Sequence, residues 1–499
     1  MKGQRPKRYE IDPKIRNDTF FKESFSRIDK LISADSKPQI HQSSKLAHRY
    51  ERLKECKNDT INLNKQMIKL YEYALVNPTS FDAEIFEIIE FCLTKKTETI
   101  HDLELKKSTV AFIANIYQHP NTKFLSVSFS DRNYDMQSRI IQILYELFTE
   151  NDVALHYAIL QCATNIAADS IQNRNETYEY FDFDFLGQII NRYSSTPFKK
   201  IIKAAYRLVA AYCQFDWTEE NEEQVTKFIS MALERIDSDD LYPQILKTMS
   251  VAANHPKCCQ IFLTQNEFNV RFNSLLISNP ENIINCLILF DKFAEGFSEL
   301  FQNPSERDEL TSLIDYYSVI KCLDHDDPAV ICSAARVLSN AILIDPSICQ
   351  IIWETQFADK ENLENNRLYT IYFRKGGDEQ KEIIFLLTNM IRKSTDTIFD
   401  NLCKKKFLEI DGKTSVSITT IFVDALSKIY DADLIDAILC SLTAMWERNS
   451  KATLEIVQGD FNEADGNEII EDLKLHEQKS VAEQVEAFDY FVLKQNQIA

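Results

Sequence analysis

AARVLSNAILIDP, residues 334–346, is the stretch whose reading decides the fold. Apolar residues recur there at helical spacing, with the polar Asn340 set among them. The phrase has three echoes: VAFIANIYQHP at 110–120, LQCATNIAADS at 160–170 and IIFLLTNMIRKS at 383–394. Asn115, Asn165 and Asn389 stand at the matching place in each. A helix that cannot bury its own apolar face must stack on its neighbours, so a phrase returning about every fifty residues predicts an all-α solenoid. The surface that the same helix of every repeat lines is where such an array binds.

The composition agrees. Hydrophobic residues make up 44% of 499, ample for a continuous core, while only 8 residues are Gly and 12 Pro. That scarcity disfavours all-β folds and phosphate cradles, and neither GxGxxG nor GxxxxGKS occurs. The net charge is −20, but residues 1–49 hold twelve Lys and Arg against six Asp and Glu, so +6 stands against −26 for the rest. An acidic body argues against blanket nucleic-acid binding and suits either a receptor for basic peptides or simple solubility. Most of the twelve cysteines stand singly in apolar helices (Cys92, Cys162, Cys213, Cys286, Cys332, Cys440), the pattern of small buried hydrophobes; the adjacent Cys258–Cys259 is not a CxxC motif, and no zinc spacing occurs. A reducing compartment is expected, with neither a secretory h-region nor a membrane span.

Residues 1–45 read as a basic arm, with an amphipathic turn at FFKESFSRIDKLI. From 46 onward helical periodicity is almost unbroken, and Asp or Ser stands where the next helix needs a cap. TYEYFDFDF at 177–185 alternates like a strand but reads better as an acidic, aromatic loop or helix start. KCLDHDDPAVICSAARVLSNAILIDPSICQIIWE at 321–354 has the pattern of an armadillo repeat, in which the last of three helices lines a groove. Ala334 and Ala335 allow close helix approach there, and Asp324, Asp326 and Asp327 around His325 read as capping charges. A HEAT array or irregular α-solenoid is the alternative.

The order of the phrases resembles the importin-α family. LQCATNIAADSIQNRN at 160–175, RLVAAYCQFDWTEENEEQV at 207–225 and the phrases at 334–346 and 383–394 fall in its register. DGNEIIEDLKLHEQKSVAEQVEAFDYF at 465–491 is similar to its terminal repeat. The resemblance covers residues 46–495 and implies a right-handed superhelical armadillo solenoid of about ten repeats with a largely disordered arm. It also implies a cytoplasmic and nuclear import adaptor that holds the nuclear localisation signals of cargo and links them to importin-β. Carried over residue by residue, Asn115, Asn165, Asn340 and Asn389 form the ladder for cargo backbone, and Asp169 and Glu382 grip basic side chains. Phe385, Asn389 and Glu382 make the fullest set. The arm cluster Arg5, Lys7 and Arg8 is similar to a degenerate importin-β-binding segment, and an export receptor is implied at the C-terminal repeats.

The sequence departs from that pattern at every tryptophan slot, where Ala111, Gln161, Arg207, Lys247, Arg336 and Phe385 stand. Ala211, Val251, Lys292 and Ala444 replace further ladder residues. A cation–π slot loses about 0.5–2 kcal/mol with each ring. The alternative function is therefore an armadillo interaction scaffold that has lost recognition of nuclear localisation signals. Dispersed His residues and the lack of catalytic motifs predict no enzyme, no cofactor and no metal, and the expected partners include neither nucleic acid nor membrane.

Overall fold

In the computed structural model the described residues are 42–76, 80–81, 83–118, 123–124, 136–194, 198–214, 222–234, 241–253, 268–300, 314–358, 366–408, 415–428 and 431–498. The chain forms two units, residues 1–215 and 216–499. In the first, the helices are α1 (Gln42–Glu55), α2 (Thr60–Val76), α3 (Ala83–Thr94), α4 (Ile100–Gln118), α5 (Met136–Glu146), α6 (Val153–Ala167), α7 (Ile171–Tyr180), α8 (Phe183–Arg192) and α9 (Lys199–Tyr212). The long members α2, α4, α6 and α9 pack each on the next, so every one buries its apolar stripe against a copy of itself. Helix α1 starts at Gln42, four residues before the boundary expected from periodicity. The arm, with Arg5, Lys7 and Arg8, lies outside the described residues.

The second unit contains α10 (Glu222–Glu234), α11 (Tyr242–Ala252), α12 (Phe268–Leu275), α13 (Pro280–Leu300), α14 (Tyr316–Lys321), α15 (Pro328–Ile344), α16 (Ile348–Gln356), α17 (Arg367–Arg374) and α18 (Asp378–Lys393). It closes with α19 (Asp396–Lys404), α20 (Ile418–Lys428), α21 (Ala432–Arg448), α22 (Lys451–Glu463), α23 (Gly466–Leu473) and α24 (Lys479–Ile498). Again the long helices stack in chain order: α11, α13, α15, α18, α21, α24. The trio α16–α17–α18 recurs as α19–α20–α21 and as α22–α23–α24. Three helices per repeat is the armadillo arrangement, which resolves the alternative left open by the sequence.

Capping follows the sequence closely. Asp152, Asp182, Asn366 and Asp431 each accept the backbone N–H three residues on, at 2.7, 2.7, 3.0 and 3.2 Å. Asp327 accepts from Ala329 at 2.9 Å, the capping role expected of it. Thr99 and Asp102 open α4 as a reciprocal box, each side chain accepting the other's backbone N–H at 3.3 and 2.8 Å. TYEYFDFDF is the corner between α7 and α8, where Phe181 is fully buried and Asp182 caps α8. Its alternation reflects a packed corner rather than a strand.

Two short strand pairs were not expected. Ser80–Phe81 (β1) lies parallel to Lys123–Phe124 (β2), and Lys406–Leu408 (β3) antiparallel to Ser415–Ser417 (β4). Phe407 of β3 is fully buried against Tyr369 at 5.1 Å and Phe357 at 6.0 Å. Of the single cysteines, Cys92, Cys162, Cys213 and Cys286 are buried as expected, whereas Cys332 is half-buried and Cys440 exposed. The latter two lie on the long-helix edge described next.

Candidate ligand face of the long helices

Helix α15 buries most of its circumference, including Ala334 and Ala335 at 0% exposure, and leaves one edge uncovered. Along that edge run Arg336, Asn340 and Leu343, one helical turn apart. On α18 the corresponding edge carries Glu382, Phe385, Asn389 and Arg392; on α21 it carries Cys440, Thr443 and Ala444. Ile288 of α13 continues it, 40% exposed, and Leu343 is 47% exposed. The edges are aligned because these helices pack in register.

Polar contacts between successive long helices set that register. Asn165 on α6 donates its amide to the Ala114 carbonyl on α4 at 2.9 Å. Asn389 on α18 donates to the Ser339 carbonyl and hydroxyl oxygens on α15, at 3.1 and 2.8 Å. Asn340 on α15 donates to Asp291 Oδ1 on α13 at 2.6 Å. Ala114, Asp291 and Ser339 each stand one residue before the ladder position of the preceding repeat (Asn115, Lys292, Asn340). Where α21 has Ala444 in place of an Asn, the Ser441 hydroxyl reaches the Thr388 carbonyl at 3.3 Å, again one residue before a ladder Asn. The ladder therefore acts first as a set of staples between repeats, each contributing roughly 0.5–1.5 kcal/mol.

Asn115 differs from the other three. The residue is 3% exposed, and among the described residues neither its carboxamide oxygen nor its nitrogen has a hydrogen-bond partner. Asp169 is exposed beyond the end of α6 and accepts from Asn173 Nδ2 at 2.9 Å. Glu382 is held by Arg336 of the preceding long helix, whose Nε donates to Oε1 at 3.2 Å and whose Nη2 donates to the same oxygen. Phe385 is half-buried one turn after Glu382. The structure thus brings Glu382, Phe385 and Asn389 onto one edge beside Arg336 and Asn340, while Asn115, Asn165 and Asp169 belong to the other unit.

The slot positions are occupied by this chain's own chemistry. Ala111 is buried, and Lys247 reaches Glu281 of α13 at 3.5 Å. Trp353 is half-buried and stacks on the buried Phe357 at 5.6 Å, and Trp446 is buried against Phe461 and Phe488 at 5.3 and 5.9 Å. Burial, then the nearby Glu379, Glu382 and Asp378, push the Cys332 thiol up to about 11. Acidic side chains thus stand near Cys332, with the Arg336 guanidinium opposing them. Sequence reasoning missed Asp291, Ser339 and Thr388 as staple partners. Their one available signal was the constant spacing of about fifty residues to the next Asn or its replacement. Among the described residues no three His, Cys, Asp or Glu gather as metal ligands, and no helix is long and apolar enough to cross a membrane.

No protein-family model and no curated protein matches the chain. Among solved structures, an engineered protein is similar over 90% of this chain and 98% of its own, at 15% identity and TM-score 0.57. A designed armadillo repeat protein in complex with the peptide (KR)4 is 14% identical over 52% of this chain and all of its own, at TM-score 0.40. A structure concerning the interaction between cadherin and beta-catenin is 11% identical over 94% of this chain and 98% of its own, at TM-score 0.41. The likeness to the engineered protein at TM-score 0.57 supports the helical fold, and the three-helix repeats make it an all-α armadillo-repeat solenoid.

Proposed function

We propose that this protein is an interaction scaffold that holds an extended segment of a partner protein along the α13–α15–α18–α21 edge. The observation that carries the proposal is the row of Ile288, Arg336 and Phe385 at matching places on consecutive helices, with Asn340 and Asn389 one turn on and Leu343 exposed beyond Asn340. Exposed apolar side chains rimmed by polar ones, repeated at the spacing of stacked helices, suit a chain that runs across the stack. Binding energy would come from apolar anchors, with the carboxamide oxygens of Asn340 and Asn389 as backbone acceptors.

Import of basic cargo, with importin-β as second partner and Arg5, Lys7 and Arg8 in the arm, is the finer reading implied by the family resemblance. It requires Asp169 and Glu382 to receive a partner's cation, and both carboxylates already accept hydrogen bonds from this chain. The scaffold reading needs no such exchange and is preferred. The test is selection of peptides from a random library on the full chain, followed by anisotropy titration against wild type and an Ile288→Arg/Leu343→Arg variant. Selected peptides are expected to lose at least tenfold in affinity, with thermal unfolding unchanged because both side chains are exposed. Undiminished binding to the folded variant would refute this edge as the site. Tight selection of Lys- and Arg-rich sequences by the wild type would restore the import reading.

A further inference from the structure

Glu382, Phe385 and Asn389 stand at i, i+3 and i+7 on the uncovered edge of α18. A carboxylate, a ring and a carboxamide in successive turns make a receptor for one residue of an extended basic peptide. The carboxylate pairs with the cationic head, the ring lies along the apolar stem, and the carboxamide meets the backbone. Here the carboxylate is already engaged. Arg336 reaches across from α15, 46 residues earlier in sequence, and places two guanidinium donors on Glu382 Oε1. The Glu382 side chain is 17% exposed and that of Arg336 52%, so the acid lies beneath its guanidinium.

We infer that Arg336 is the specificity-determining residue of this edge: an internal occupant of the Glu382 carboxylate that excludes lysine and arginine side chains of a partner. The inference rests on the reading of this edge as a peptide-binding surface. An incoming cation must displace a guanidinium that is tethered to the scaffold and therefore at high effective concentration. It must also approach that guanidinium's like charge. Both effects act against basic segments and leave apolar anchoring at Ile288 and Leu343 untouched. A neutral residue at 336 frees the carboxylate and makes the same edge a receptor for basic peptides. Lysine at 336 keeps a cation there and preserves the exclusion.

The experiment titrates a labelled octapeptide of alternating Lys and Arg against the full chain by fluorescence anisotropy at low salt. Wild type, Arg336→Lys, Arg336→Ala and Arg336→Ala/Glu382→Gln are compared. Arg336→Ala is expected to bind about tenfold more tightly than wild type, Arg336→Lys to stay near wild type, and the double variant to return to it. The gain should shrink as salt is added, since the contact is electrostatic. Equal affinity of Arg336→Ala and wild type overturns the inference, as does a gain that survives Glu382→Gln. The library-selected peptides separate the two levels. If they bind through Ile288 and Leu343 while Arg336→Ala gains nothing, the exclusion by Arg336 is wrong and the edge stands. If they ignore Ile288 and Leu343, the edge itself is wrong.

Discussion

Replacing Asn389 with alanine tests the staple directly. The substitution removes two donations across the α15–α18 boundary, to the Ser339 carbonyl at 3.1 Å and hydroxyl at 2.8 Å. Ser339 is 4% exposed, so water does not readily replace the lost donor. The carbonyl also lies within α15 and is available to the helix ladder, which keeps the penalty near the low end for that bond. At roughly 0.5–1 kcal/mol for each bond, the boundary should weaken by about 1–1.5 kcal/mol. In a repeat array such a loss is felt at the affected interface more than globally, so a single melting temperature is a blunt readout. Hydrogen exchange resolved along the chain is sharper, because 1.4 kcal/mol is about a tenfold change in an opening equilibrium. Amides of α15 and α18 should exchange about five- to tenfold faster in Asn389→Ala, with α4 and α6 unchanged. A double-mutant cycle with Ser339→Ala should return a coupling of about 0.5–1 kcal/mol. Unchanged exchange in α15 and α18, or acceleration spread evenly over both units, would refute the staple.

Three further outcomes follow from the packing and the charges. A Cβ added at Gly466 would stand 2.6 Å from Phe461 Cε1 and Cζ, and that ring is 3% exposed between Trp446 and Phe488. Gly466→Ala should therefore cost about 1–3 kcal/mol in denaturant unfolding, and an unchanged midpoint would show that the ring yields freely. The Lys106 ammonium, on a residue 3% exposed, lies 2.7 Å from Glu150 and 2.8 Å from Thr97. Glu150→Gln should cost about 2–3 kcal/mol, less than a fully buried pair because Glu150 is partly open, and Lys106→Met in that background should recover part of the loss. His156 is fully buried, stacked on Phe148 at 4.6 Å, with Nδ1 2.5 Å from the Tyr193 hydroxyl, and burial holds its imidazole below the ordinary 6.5. Its folded form resists a proton that the unfolded chain accepts, so stability is complete above about 6.5 and falls as the pH drops below it. A second loss should begin below the ordinary carboxylate values of 3.8 and 4.5, because Lys95 holds Asp102, and Lys106 holds Glu150, below them. Chemical-denaturation midpoints measured from pH 8 to 3 check both limbs, and His156→Gln should flatten only the upper one.

The sequence by itself determined the kind of fold. A phrase such as AARVLSNAILIDP carries its own helical period and cap, and its return about every fifty residues leaves stacking as the way to bury the stripe. The capping residues were legible for the same reason: Asp152, Asp327 and Asp431 act on backbone two or three residues away. The strand that buries Phe407 was not legible, because β3 is three residues long and too short to show a period. The ladder asparagines were found from sequence, but not what they touch. Asn389 meets Ser339 and Arg336 meets Glu382 across fifty and forty-six residues of chain, so only the packing of α18 on α15 decides those contacts. A local code specifies each helix and its cap. Whether a surface carboxylate faces a partner or an internal guanidinium depends on where the neighbouring repeat places its side chains, and that is a property of the tertiary structure alone.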